Sequence, residues 1–425
     1  MTADQPAPPG RVQTADAPRP ITLQWLDRLA LWHALALGLV VRLAVLVLLP
    51  DQGFPDAKAY LAAGQNLFAS GNTGDNTYMP LYPIWTYLTG GGITLKLADI
   101  GLSLATICVI YALSLEILKD RTAALLAAFV AALWPHFAFY AVSGLTETAY
   151  TFIVTLGFLM LYRRRWWWGI VLLALSVLVR PTLEPLIPIL LIVFAVIVHR
   201  ESWRVAVLLI AKFALVYVVV MSPWWVHQYA RYGQFVRLNL GFGIVMYSGN
   251  NPTNRSGGGV GYLTSDGRPS EKSDHNPSHP AWAVKDPIAR DRALTKAAVD
   301  FIRNNPGRFV TLAAIKFVRF WRLWPYAAEY RSVTIIAASL LSYGVMLAAT
   351  LIFLLLHARS RWRVLLPVFI YAAFLTAVHM ITIGSIRYRF PLEPFLIVLG
   401  SYTLIRLGGR LGGRLASRYA GRSSR

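Results

Sequence analysis

Acidic residues are scarce in this 425-residue chain. Asp and Glu number 20 against 41 Lys and Arg, and charged residues of both signs make up only 14%. Soluble domains carry about 25% charged residues, so the shortage excludes a typical soluble enzyme. The 56% hydrophobic content excludes an intrinsically disordered chain. Cysteine is nearly absent: Cys108 stands alone in the apolar run Leu104–Ile110. That excludes an intrachain disulfide and a thiolate metal cluster, and it leaves the redox compartment unreadable. What is abundant is apolar and aromatic, and 14 Trp with 20 Tyr suit a protein with many membrane interfaces. The net charge of +21 has two readings. One is nucleic-acid binding; the other is the loop bias of a polytopic membrane protein. Placement of the charges decides.

A helix needs about 20 mostly apolar residues to cross a bilayer. The first such run, Leu29–Leu49, follows a Pro-rich polar head and is too long for a signal-peptide core; with no small-x-small pattern after it, it reads as an uncleaved anchor. Further runs fall at 97–118, 122–142, 144–162, 166–180, 181–198, 204–222, 333–356, 362–382 and 391–407. They predict an all-α polytopic membrane protein with about ten spans and a large extracytoplasmic loop. Leu81–Gly92 is apolar but short and Gly-rich, and reads as a re-entrant or interfacial helix. The organisation expected is a disordered cytoplasmic head (1–28), a transmembrane module (29–222) with a first outer loop at 50–80, and an extracytoplasmic loop with amphipathic helices (223–331). C-terminal transmembrane helices (332–408) and a basic cytoplasmic tail (409–425) complete it.

With the N-terminus inside, the cytoplasmic loops hold Lys119, Arg121, Arg163-Arg164-Arg165, Arg200, Arg204, Arg359, Arg361, Arg363 and the tail from Arg406. The short outer loops hold only Lys58, Arg180, Arg387 and Arg389. The positive-inside rule therefore places both termini in the cytoplasm of an inner (plasma) membrane protein. The long loop carries no basic helix or aromatic ladder suited to nucleic acid, so no nucleic-acid partner is expected. Its second half reads as a helix capped by Asp286, with Pro287 at the first position and Asn305-Pro306-Gly307 at the end. Phe309–Trp324, mixing Lys316, Arg319 and Arg322 with aromatics, reads as an interfacial helix.

Ionisable groups at the mouth of a membrane bundle are costly and default to functional readings. Four places stand out, all on the outer side. Asp56, after Pro55 and before Lys58 and Tyr60, opens an amphipathic helix; it is a helix-cap aspartate or a general base for a hydroxyl nucleophile. Glu147, in Ser143-Gly-Leu-Thr-Glu147, sits in a first turn where the helix dipole favours an anion, with His136 on the preceding outer end. Arg180 precedes Pro181 at a hinge; it either pairs with Glu184 or holds a phosphate through paired hydrogen bonds. Arg387-Tyr388-Arg389 is the densest positive cluster in any short outer loop and breaks the charge bias, which favours phosphate binding over snorkelling. His275 and His279, with Asp274, imitate metal spacing, but Pro277 disfavours the helical geometry. No cofactor is required, and a divalent metal has no support in the ligand spacing.

In this order the motifs resemble those of the GT-C superfamily, in the branch of dolichyl-phosphate-mannose protein mannosyltransferases and bacterial lipid-A and lipopolysaccharide glycosyltransferases. The carrying residues are Pro55-Asp56-Ala-Lys58-Ala-Tyr60, Met79-Pro-Leu-Tyr-Pro83, Ser143-Gly-Leu-Thr-Glu147 and Arg180-Pro181. Gly249-Asn250-Asn251, Asn305-Pro-Gly-Arg-Phe309 and Arg387-Tyr-Arg-Phe-Pro391 complete the set. The resemblance implies a GT-C-like helical bundle that moves a sugar, with inversion, from a polyprenyl-phosphate donor to an extracytoplasmic glycan, lipid or protein acceptor. It implies Asp56 as the base, and Arg387, Arg389, Arg180 and Lys58 around the donor phosphate. Glu147, Tyr60, Tyr388, Asn250, Asn251 and His136 would orient substrates. No second acid follows Asp56 within Leu61–Gly71, which leaves the acceptor type open. The rivals are a transporter or flippase of lipid-linked sugars, disfavoured by the lack of visible repeats, and a polysaccharide polymerase or ligase, which lacks the early loop acid.

Overall fold

The computed structural model describes residues 29–49, 54–71, 77–258, 278–325 and 332–423, with side chains as far as residue 409. The readings for the head, for Asp274 and His275, and for the tail side chains lie outside the described residues. Every regular element among those described is helical. In chain order they are α1 (Leu31–Leu48), α2 (Pro55–Ser70), α3 (Leu81–Leu88), α4 (Gly92–Leu118), α5 (Arg121–Leu133), α6 (Pro135–Ala141), α7 (Thr146–Tyr162) and α8 (Trp166–Val179). Then come α9 (Pro181–Val198), α10 (Trp203–Tyr232), α11 (Phe242–Gly249), α12 (Pro287–Asn304), α13 (Pro306–Trp321), α14 (Val333–Ile381) and α15 (Glu393–Ser423). A single turn, Ile386–Arg389, precedes α15.

Six helices among the described residues are long and apolar enough to cross a membrane, or seven if a bent pair counts as one. The expectation of about ten is not met one for one. Helix α7 has 17 residues, at the short end of the roughly 17–25 that a span needs, and α8 has 14, below it. The run 122–142 breaks into α5 and α6, bent by 51°, because Pro135 lacks an N–H and pushes Trp134 to extended backbone (φ −66°, ψ 116°). The break strands carbonyls at the end of α5. Arg42, an isolated mid-run charge in the sequence, is fully buried there and donates to the carbonyls of Ala132 (3.0 Å) and Ala131 (3.4 Å), and to Ser103 (2.8 Å). Asp99 also braces a short element. Buried in α4, it accepts from Tyr82 (2.8 Å) and Trp85 (2.9 Å) and so anchors α3.

Helix α14 is helical throughout its 49 residues, about 74 Å if straight, yet its ends come together. Arg389 lies over the ring of Tyr343 (3.5 Å), while His379 stacks on the adjacent Tyr388 (4.4 Å). Thr350 bonds to Leu396 and Phe353 packs on Tyr402, so the first arm descends beside α15. Val364 accepts from Tyr162 and Tyr371 packs on Phe158, so the second arm climbs antiparallel to α7. The chain reverses near Arg361, as expected for two spans joined by a short loop.

That reversal gathers a basic end. Arg361 reaches the carbonyls of Ile117 and Leu118, Arg163 pairs with Glu116, Arg164 with Glu201, and Arg406 with Asp120. The opposite end carries α2, α3 and α11 to α13. Helix α1 buries 17% of its spanning window and Ile386–Gly409 buries 78%, so the first helix is rim and the last is core.

Candidate active site

Four chain breaks converge at the end opposite the basic one. Pro55 starts α2 with Asp56 in its first turn. Gly144 takes a left-handed conformation (φ +65°) that turns the chain into α7, with Glu147 in the first turn. Pro181 ends α8 and leaves Arg180 extended (φ −147°, ψ 125°). Ser385 caps the turn that carries Arg387 and accepts from its backbone N–H (3.3 Å).

These breaks bring two acids and two arginines together. Glu147 is fully buried and accepts from Arg180 Nη2 (2.5 Å) and from Arg387 Nε. Arg180 Nε donates to Thr146 Oγ1 (2.7 Å), and Arg387 Nη1 donates to Asp56 Oδ2 (2.7 Å). The four formal charges cancel. Asp56 is the outermost, with 40% of its side chain exposed. Tyr60 lies beside the group, and burial pushes its phenol upward, so it stays a neutral hydroxyl.

Asp56, Tyr60, Arg180, Arg387, Tyr388 and His136 line a cavity of about 2090 Å³. Pockets for one small molecule run to about 300–1,000 Å³, so this one has room for a long ligand or for two. Its walls are mostly apolar, with Val41, Val45 and Leu133 on one side and Pro188, Phe213 and Phe374 on another.

The other expected residues stand outside the acid–arginine group, His136 on the cavity wall and Arg389, Lys58, Asn250 and Asn251 away from the cavity. Arg389 is fully buried, faces away, and donates to the carbonyls of Phe320 (3.0 Å) and Arg322 (2.6 Å) and to Glu393 (3.4 Å). His136 bonds through Nδ1 to the same Glu393 (2.8 Å), which also accepts from Trp134 (2.5 Å). Lys58 is exposed and does not line the cavity. Asn250 and Asn251 are fully buried: Asn250 donates to Met246 and Ile381, and Asn251 closes a turn with Tyr247, Thr253 and Asn254. Glu184 does not pair with Arg180; its partners are Arg237 and Tyr217, and all three line the cavity. His279 caps a short turn by accepting from Ala281 N–H. No group of three or more metal-ligating side chains occurs among the described residues.

Sequence reasoning passed over Arg237, Glu393 and Lys316. The first two pair with residues 53 and 257 positions away, which a linear pattern does not reveal. Lys316 is fully buried in α13, where the aromatic-basic pattern had placed it at an interface.

Among solved structures, the chain is similar to the Archaeoglobus fulgidus oligosaccharyltransferase in the apo form, with a TM-score of 0.53 and 13% identity. It is also similar to the archaeal oligosaccharyltransferase AglB from Archaeoglobus fulgidus in complex with an inhibitory peptide and a dolichol-phosphate (TM-score 0.51, 13% identity). Each match covers 93% of this chain and 52% of the other, so the chain spans about half the length of these proteins. ArnT from Cupriavidus metallidurans bound to undecaprenyl phosphate is 17% identical over 88% of this chain and 78% of ArnT, with a TM-score of 0.42. No protein-family model and no curated protein sequence matches. The oligosaccharyltransferase likeness establishes the fold: a GT-C-like membrane helical bundle.

Proposed function

We propose that this GT-C-fold protein is an inverting glycosyltransferase that moves a sugar from a polyprenyl-phosphate donor to a hydroxyl-bearing acceptor. The observation that carries the reading is the chain of contacts Asp56–Arg387–Glu147–Arg180 on the wall of a large, mostly apolar cavity. The apolar walls suit a prenyl chain, and the AglB structure holds a dolichol-phosphate.

In this reading the acceptor oxygen attacks the anomeric carbon from the face opposite the phosphate. Its proton passes to the Asp56 carboxylate as the carbon–oxygen bond to phosphate breaks. The leaving polyprenyl phosphate gains one negative charge, which Arg387 and Arg180 meet with fixed guanidiniums. Glu147 keeps both arginines in place, and Tyr60 and Tyr388 flank the reacting groups. Arg389 and Lys58 have no part in phosphate binding here. The basic end lies opposite the site, which supports an extracytoplasmic site with both termini in the cytoplasm of an inner membrane.

The test supplies membranes with an undecaprenyl-phosphate-linked, radiolabelled sugar. Wild-type membranes should pass label to a glycan, glycolipid or protein, and Asp56→Asn membranes should not. Full transfer by Asp56→Asn removes Asp56 as base. Passage of intact lipid-linked sugar across liposomes without transfer would hand the cavity to the transporter reading. Mass spectrometry of envelope glycans from a deletion strain would name sugar and acceptor together.

A further inference from the structure

Lys316 is a fully buried lysine that makes no ion pair among the described residues. Its amine donates to Asn250 Oδ1 (3.0 Å) and to the carbonyl of Ile381 (3.2 Å). Asn250 Nδ2 donates to the same Ile381 carbonyl (2.8 Å). Three segments meet at this point: α13, the end of α11 with its following loop, and the end of α14.

Glycines let them close up. A Cβ on Gly249 would collide with the Thr382 carbonyl, and one on Gly384 would stand 2.5 Å from the Lys316 carbonyl oxygen. Gly384 N–H donates to the Gly257 carbonyl (3.1 Å), and Arg319, one turn along α13, donates to the Gly384 carbonyl (3.0 Å). Arg387 follows Gly384 by three residues. Its guanidinium must reach Asp56 and Glu147 at once, so its placement depends on how firmly residues 381–384 are held.

We infer that Lys316 is a positioning residue for the site, clamping Ile381 to Asn250 and so fixing Arg387 between Asp56 and Glu147. The inference rests on the transferase reading and deepens it.

The clamp has two acceptors, and a neutral amine offers two N–H groups, one for each. An ammonium brings a third donor and a buried charge. Among the described residues, the charged and titratable groups on the surrounding elements are Arg319 and Arg308 of α13, Tyr247 of α11, Arg255 of the loop, His379 of α14, and Arg387 and Tyr388 of the turn; none of these is acidic. Asp291 of α12 is engaged at the other end of α11, by Gly243 N–H. Burial accordingly brings the Lys316 amine down to about 7. The folded state favours the neutral form, so the clamp is whole above that value and is strained as pH falls through it.

The experiment uses the purified full chain in detergent and undecaprenyl phosphate as probe. Lys316→Met should weaken binding about tenfold, and should add nothing in an Arg387→Ala background. Lys316→Gln, which keeps two N–H donors without a charge, should bind as wild type does and lose the fall in affinity below about pH 7. Additive losses in the double variant, or a pH profile unchanged in Lys316→Gln, would overturn the inference. Hydrogen exchange of residues 382–388 separates this from the functional reading. Faster exchange confined there in Lys316→Met supports the clamp even where wild type binds no undecaprenyl phosphate, which would count against the transferase reading alone. Unchanged exchange there removes the clamp.

Discussion

The two ends of the bundle use arginine in opposite ways. At the basic end Arg163, Arg164 and Arg406 leave 43%, 58% and 55% of their side chains exposed, and each meets a carboxylate at the surface. At the site end Arg180 and Arg387 are 16% and 25% exposed around a Glu147 that is fully buried. Exposed pairs contribute roughly 0–1 kcal/mol, whereas removing one partner of a buried pair costs about 3–5 kcal/mol. The chain has only 20 acids; Asp99, Glu147 and Glu393 are fully buried, and Asp56 stands on the cavity wall. At the basic end the arginine–carboxylate pairs are open to solvent; at the site end the arginines close on a buried acid.

The sharpest way to break this contrast is at Asp56. Asp56→Asn keeps shape and hydrogen bonding but removes the base, and transfer should fall roughly 100- to 10,000-fold, measured with labelled donor in membranes. Arg387→Ala should cost roughly 100- to 1,000-fold in turnover; a variant that lost only donor affinity would limit Arg387 to binding. Glu147→Gln leaves two buried guanidiniums sharing no anion, and about 3–5 kcal/mol of stability should go with it. Thermal unfolding in detergent reads that loss, and an unchanged midpoint would show that the pairs hold nothing together. Arg389→Met should also lower the midpoint, yet leave the affinity of the folded protein for undecaprenyl phosphate unchanged, although it lies two residues from Arg387.

That pair also marks the limit of what the sequence revealed. Hydropathy located the apolar runs, including the two arms of α14, and the charge bias singled out Arg180 and Arg387 because they violate it. Asp56 and Glu147 were visible as lone acids at helix starts on the same side. But Arg387 and Arg389 violate the bias equally. Two residues along a helical turn are rotated by about 200°, so one faces the cavity when the other faces the core. Sequence shows that they diverge without showing which is which. The places of Asn250, Asn251 and Lys316 were not legible for a related reason. Polar residues in a membrane bundle serve either a ligand or a neighbouring carbonyl, and only packing tells these apart. Span count is least legible at α7 and α8, whose 17 and 14 residues are shorter than the apolar runs that hydropathy windows report.

The smallest effect is the one expected at the basic end, and it completes the contrast. Arg164→Gln removes a guanidinium that is more than half exposed and pairs with Glu201 at the surface. Water and salt already screen that pair, so its loss should move the unfolding free energy by about 0–1 kcal/mol, and less at high ionic strength. Sugar transfer by correctly inserted protein should not change. What should respond is insertion. If this end faces the cytoplasm as proposed, replacing Arg163, Arg164 and Arg165 together strips one loop of positive-inside charge, and accessibility labelling of introduced cysteines should then report a mixed orientation. A large fall in transfer by the single variant, with orientation intact, would mean that the basic end also serves the chemistry, and the division of labour between the two ends would be lost.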